Sequence, residues 1–157
     1  MNLFSINMML AAGFMIAMSS FTLGTLLVGF IVGFCALWVT QPLYSDSRYF
    51  SRVPSLVRLG LFFIKALFVS NLRVLWDVVT PQHISRPGII GVPLDASTDF
   101  EIMLVANLIS LTPGTLSVDL SEDRKTLYVH VMFLDDIDGA REELKYGLER
   151  RVLEVLR

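Results

Sequence analysis

The first forty-five residues contain no Asp, Glu, Lys, Arg or His; Asp46 is the first. Ordinary soluble domains charge roughly a quarter of their residues, so this stretch has nothing to hold it in water. It reads as two apolar runs. Residues 3–18 have only Ser5 and Asn7 as strongly polar members, and residues 21–39 follow after Ser19-Ser20 and end at Thr40-Gln41-Pro42. As helices they span about 24 Å and about 28 Å, against a bilayer hydrocarbon core of about 30 Å. The link is very short, so residues 1–40 are expected to form a transmembrane helical hairpin. The start lacks a basic region and a second apolar run follows at once, which argues against a cleaved signal peptide.

Charge then arrives in two zones. Residues 46–88 carry Arg48, Arg52, Arg58, Lys65, Arg73 and Arg86 against Asp46 and Asp77, whereas residues 89–157 carry seven basic and thirteen acidic side chains. Neutral, basic and acidic segments in that order suit a membrane segment, a membrane-surface segment and an aqueous domain. An acidic soluble part argues against nucleic-acid binding. Cys35 is the single cysteine, so no internal disulfide can form, and within an apolar run it behaves as a small hydrophobe.

In the second run Gly29 and Gly33 stand four apart on one face, a small-xxx-small pair that admits another helix backbone closely. They are the expected packing contact within the membrane, toward the helices of other subunits. Residues 41–54 read as a polar loop. Residues 55–80 read as an amphipathic third helix. At about 100° per residue, Arg58, Lys65, Arg73, Asp77 and Thr80 share one arc, and Leu61, Phe63, Ile64, Leu67, Phe68, Val74, Leu75 and Val78 occupy the rest of the circumference. Two placements follow. The helix lies at the interface or is covered by protein, or it crosses, at about 2.5–3.5 kcal/mol for each central charge left facing lipid. Basic residues after position 40 put that side in the cytoplasm, and a surface-lying third helix keeps the rest of the chain there too.

Residues 81–157 are expected to form a small α+β domain of order β-α-β-β-α, with the C-terminal domain cytoplasmic. A β-like run covers 89–94. Thr98 and Glu101 form a capping box opening a helix to about Leu111, which Pro113-Gly114 ends. Thr115–Leu120 alternates with Leu116, Val118 and Leu120 on one face. Residues 121–125 turn into a second strand over 126–134, completing a hairpin. A last helix from about Gly139, with Asp138 as its N-cap, lines up Leu144, Leu148, Val152 and Leu156.

LISLTPGTLSVDL at residues 108–120, LYVHVM at 127–132, LRVLWDVVTP at 72–81 and the N-terminal hairpin together resemble the E subunit of the Mrp (also Mnh, Sha or Pha) multisubunit monovalent cation/proton antiporters of bacteria and archaea. The resemblance covers nearly the whole chain. Its most specific part is Thr112-Pro113-Gly114-Thr115 with Val118-Asp119. It implies a multi-pass subunit of a cell-membrane assembly that exchanges external protons for internal sodium or other monovalent cations. The large subunits of that assembly look like the proton-pumping subunits of respiratory complex I. The resemblance implies an accessory or structural component. Na+ and H+ would be transported by the complex rather than bound by this chain, and the partners would be the other subunits and membrane lipid.

The residues agree with a supporting role. Secondary transport uses ionisable groups near the bilayer midplane, and the first two helices have none. Arg58, Lys65, Arg73 and Asp77 are expected as surface or partner contacts of the third helix. Thr112, Pro113, Gly114, Thr115, Asp119 and His130 are expected as the family motif and docking face. Two alternatives stay open: a direct place in the ion path through Lys65, Arg73 or Asp77, and a stand-alone membrane-anchored regulator. His83 and His130 lack metal-ligand spacing, Asp135, Asp136 and Asp138 lack the pattern of a calcium loop, and no nucleophile motif or phosphate loop is visible. No enzyme activity, cofactor or metal is expected.

Overall fold

A computed structural model describes residues 3–43, 48–81 and 84–157; Asp46 and His83 fall outside them. The chain divides into two compact units, Met1–Val53 and Pro54–Arg157.

In the first unit, α1 (Leu3–Ala17) and α2 (Leu23–Val39) form the hairpin. Ser19 takes the left-handed φ of 49° that reverses the chain. The Ser19 and Ser20 amides close the end of α1 on the Ile16 and Met15 carbonyls, and Thr22 caps α2 by accepting from the Thr25 amide at 3.2 Å. The glycine pair lies on the seam. A Cβ at Gly29 would sit 3.0 Å from the Phe14 Cβ and 3.1 Å from the Ala11 carbonyl oxygen, and one at Gly33 would collide with the Asn7 carboxamide. This corrects the expected packing of Gly29 and Gly33 against other subunits. α1 of the same chain already fills the shallow face they create, and both are buried there.

The expected loop over 41–54 is also corrected. A 3-10 turn (Gln41–Leu43) is followed by α3 (Arg48–Val79), which runs through Pro54. Proline is unfavourable inside a helix, but burial outweighs that cost here. Tyr49 and Phe50 are buried with Leu3 and Leu37, and the Phe34 ring lies 5.7 Å and 5.6 Å from theirs. Tyr49–Val79 is the one helix among the described residues long and apolar enough to cross a membrane; α1 and α2 are shorter apolar helices.

The second unit holds the rest of α3 and a three-stranded antiparallel sheet, β1 (Gly88–Pro93), β2 (Thr115–Leu120) and β3 (Thr126–Val131), in the order β1-β3-β2. α4 (Asp99–Leu111) joins β1 to β2, starting at the full reciprocal capping box of Thr98 and Glu101. Ile90, Val92, Leu127, Val129 and Val131 form the buried sheet face, packed with Val105 and Ile109 of α4, with Leu148, Val152 and with Leu59 of α3. A bulge between Ser117 and Asp119 shifts the β2 register. Leu116 and Val118 are left exposed, while Ser117 turns inward and donates to the Ala106 carbonyl at 2.9 Å.

The last helix begins at Ile137, and its N-cap is Asp136, not Asp138: the Asp136 carboxylate accepts from the Asp138 and Gly139 amides. Asp136 alone stands before the first turn, where a side chain can fold back onto the free amides. α5 (Ile137–Glu142) passes into a π-helical stretch (Glu143–Glu149) and then α6 (Arg150–Leu156). The wider π turn offsets the ~40° by which i,i+4 positions drift per step on an α-helix. Leu144, Leu148, Val152 and Leu156 thereby all reach the core.

Candidate functional site

The polar stripe of α3 and the Thr112-Pro113-Gly114-Thr115 segment meet in one cleft of about 360 Å³ within the second unit. Lys65, Ser70 and Arg73 come from α3. The four motif residues form another part of the wall, Phe62 and Phe133 are apolar lining, and Glu143 of the π-helical stretch is at the side.

Each wall has a local cause. The motif is a helix stop leading into a strand. Thr112 Oγ1 donates to the Leu108 carbonyl at 3.1 Å, and Thr115 Oγ1 to the Ile109 and Thr112 carbonyls at 2.7 Å and 3.0 Å. These bonds occupy carbonyls that a helix end leaves free. Gly114 has φ +88°, a region that a side chain strains, and its carbonyl accepts from the Met132 amide at 2.8 Å. On the α3 side, the Arg73 guanidinium lies 5.9 Å from the centre of the Phe133 ring and the Arg151 guanidinium 4.2 Å from that of Phe62. Gly147 allows this approach: a Cβ there would stand 3.3 Å from the tip of Phe62.

Asp77 is buried rather than displayed. Its carboxylate accepts from the Ile84 and Ser85 amides at 2.6 Å and 3.0 Å, tying the end of α3 to the segment that enters β1. Arg58 is exposed and outside the cleft lining. Asp119 and His130 are also elsewhere. Asp119 pairs with Tyr128, and His130 with Ile89 and Leu116, on the sheet face opposite the core.

Sequence reading missed a second polar centre. Glu149 is fully buried, and its Oε1 accepts from the Asp95 and Ala96 amides at 2.6 Å and 2.8 Å. Beside it Arg157 grips Glu101 with two bonds of 3.0 Å and 3.1 Å. That contact, with the Ser97 and Thr98 amides, holds the Glu101 carboxyl down at about 2. Glu101 was visible as a capping-box member, but Glu149 follows Leu148 in an apolar line with nothing to mark it. Asn7 is a similar omission. It is fully buried in the hairpin and donates to the Tyr49 hydroxyl at 2.6 Å.

Chemically, the cleft offers two cations, one carboxylate and an apolar lining. Among the described residues that line it, no nucleophile is paired with a base. No three His, Cys, Asp or Glu side chains converge on a metal-sized site among the described residues.

The comparisons with known proteins agree with one another. The chain is 34% identical over 150 residues to the Na+/H+ antiporter E subunit of Alkalihalophilus pseudofirmus, covering 96% of this chain and 95% of that protein. It is 32% identical over 152 residues to the corresponding antiporter protein of Bacillus subtilis, covering 97% and 96%. Among solved structures, a chain of the Mrp complex from Dietzia sp. DQ12-45-1b superposes with a TM-score of 0.51 at 25% identity, over 65% of this chain and 96% of that one. A chain of the membrane-bound sulfane sulfur reductase, an archaeal respiratory membrane complex, shares the fold over 96% of both chains, with a TM-score of 0.56 at 21% identity. The family model described as Na+/H+ ion antiporter subunit matches residues 7–155, and the chain belongs to that family.

Proposed function

We propose that this chain is an accessory subunit of a multisubunit cation/proton antiporter. It anchors in the membrane, supports assembly, and leaves Na+/H+ exchange to other subunits. The single observation that carries this reading is where the ionisable groups of α3 go. Lys65 and Arg73 line a cleft against the chain's own C-terminal fold, and Asp77 is spent on two loop amides. α1 and α2 add no charged side chain. A proton path needs titratable groups that face water or one another inside the membrane, and no such series appears among the described residues.

The same packing supports an interfacial third helix. The C-terminal fold touches α3 from Leu59, in the core, to Asp77, under the loop. That is a length of about 27 Å, nearly the full hydrocarbon thickness. If α3 crossed the bilayer, the acidic fold would be dragged into lipid beside it. Lying in the interface, α3 keeps that fold in water and turns Leu61, Ile64 and Phe68, each about two-thirds exposed, toward the acyl chains. With a hairpin that crosses twice and basic residues following it, the N-terminus and the C-terminal domain are both cytoplasmic.

Deleting residues 89–157 should leave a membrane-bound chain and a poorly assembled complex on native gels; unchanged assembly refutes the supporting role. Lys65→Gln, Arg73→Gln and Asp77→Asn should leave antiport per assembled complex unchanged in vesicles. Loss of exchange at matched complex levels would place these residues in the ion path instead. Labelling of Glu122→Cys in a Cys35→Ser background with a membrane-impermeant maleimide should occur in inverted vesicles and not in right-side-out ones.

A further inference from the structure

We propose that the cleft between α3 and the Thr112-Pro113-Gly114-Thr115 turn binds the headgroup of a membrane phospholipid, with Lys65 and Arg73 on its phosphodiester and Glu143 on the ammonium of an ethanolamine. The proposal rests on the interfacial placement of α3.

Three features point to this occupant. The first is charge. Among the described residues the cleft holds Lys65, Arg73 and Glu143 as its charged members, and neither Lys65 nor Glu143 is in an ion pair. Two cations with a separate anion match a phosphate joined to an amine. Salt-bridging Lys and Arg to phosphate is the strong form of such contact. The second is size: about 360 Å³ lies at the small end of ligand sites, room for a polar headgroup and not for acyl chains. The third is continuity with an apolar surface. On the helix, the neighbours of Lys65 at i−4, i+3 and i+7 are Leu61, Phe68 and Leu72, all exposed. A lipid whose phosphate meets Lys65 therefore finds an apolar strip for its chains directly beside the cleft. A soluble phosphate compound would use the cations and leave that strip bare. The motif hydroxyls are committed to carbonyls, so Thr112 and Thr115 shape the wall and the charges do the binding.

The test is native mass spectrometry of the full-length chain released from detergent, after exchange into phosphatidylethanolamine, phosphatidylglycerol or diacylglycerol. The expected result is one retained phosphatidylethanolamine, less phosphatidylglycerol and no retained diacylglycerol. Retention should fall roughly fivefold for each cation removed by Lys65→Gln or Arg73→Gln, and Lys65→Arg should restore it. Glu143→Gln should equalise the two phospholipids. Because Arg73 also stacks on Phe133, the exposed Lys65 pair keeps the test independent of folding. Retention that ignores Lys65, equal retention of diacylglycerol, or full displacement of lipid by millimolar inorganic phosphate overturns the proposal.

Placement is read separately. Trp38→Phe leaves Trp76 as the sole tryptophan, and brominated lipids then report its depth. Shallow quenching without lipid retention sinks the headgroup site alone. Deep quenching sinks the interfacial placement and the site with it.

Discussion

The two units solve the same problem, a polar group in a dry interior, by opposite means. In the hairpin, Asn7 is buried against the Tyr49 hydroxyl, and its space is made by leaving out a side chain at Gly33. In the C-terminal unit, Glu101 and Glu149 are buried among several donors: Ser97, Thr98 and Arg157 for the first, Asp95 and Ala96 for the second. The hairpin, with apolar residues over its exposed surface, relies on close backbone approach at its glycine seam. The C-terminal unit carries its own core and uses carboxylates to fix loops that no sheet ladder reaches. One unit specifies its packing by removing atoms, the other by adding charges.

Four tests can break or sharpen this contrast. The largest effect is expected at Glu149. Glu149→Ala orphans the Asp95 and Ala96 amides, and at about 1–3 kcal/mol for each buried unsatisfied group the C-terminal unit should lose about 2–6 kcal/mol. Urea unfolding of the full chain in detergent, followed by near-ultraviolet circular dichroism, measures it; a loss below ~1 kcal/mol would mean the carboxylate is dispensable.

Next is the hairpin seam. Gly33→Ala places a methyl on the Asn7 carboxamide, and overpacking of this kind costs about 1–3 kcal/mol. Adding Asn7→Ala should recover part of that cost. Protease protection of the hairpin in bilayers reads both variants, and purely additive losses would deny that the two residues share the space.

The third effect is a dependence on pH. Arg157, then the Ser97 amide, hold Glu101 at about 2 against an ordinary value of 4.5. Its folded pKa is the lower one, so its stabilisation is complete above the ordinary value and is lost as pH falls toward about 2. Urea midpoints of the C-terminal unit should therefore decline through this acid range, and Glu101→Gln should flatten that part of the curve. The same slope in the variant would assign acid sensitivity to other carboxylates.

The smallest effect belongs to the ion pair of Arg124 with Asp99, both well exposed. Asp99→Asn should change stability by under ~0.5 kcal/mol, detectable only as a slight shift in thermal midpoint. A larger change would show that the turn at Arg124, whose φ is +61°, depends on that pair.

Local patterns were legible where one segment decides its own structure. The capping box at Thr98 and Glu101, the helix stop at Pro113-Gly114 and the apolar runs of α1 and α2 depend on residues within four or five positions of each other. The cleft was legible only as separate parts. Lys65, Arg73 and the Thr112 turn were each marked in the sequence, but nothing in their spacing said they face one another. Asp119 and His130, marked alongside them, lie elsewhere on the sheet. The β2 bulge is a further case: Leu116, Val118 and Leu120 alternate as a buried face should, yet pairing with β3 leaves the first two outside.

What the sequence determined by itself is the partition of the chain: an uncharged helical pair, an amphipathic helix, and an acidic α+β fold. Hydrophobicity and its period are sums over neighbouring residues, so they need no knowledge of the rest of the molecule. Only the tertiary structure decided which faces meet. The glycine face of α2 closes on α1, the polar stripe of α3 closes on the C-terminal fold, and Glu149 is drawn beneath a distant loop. Such packing brings residues as far apart as Lys65 and Thr112 to one cleft, and burial there is settled by the fit of whole surfaces, which no local pattern records.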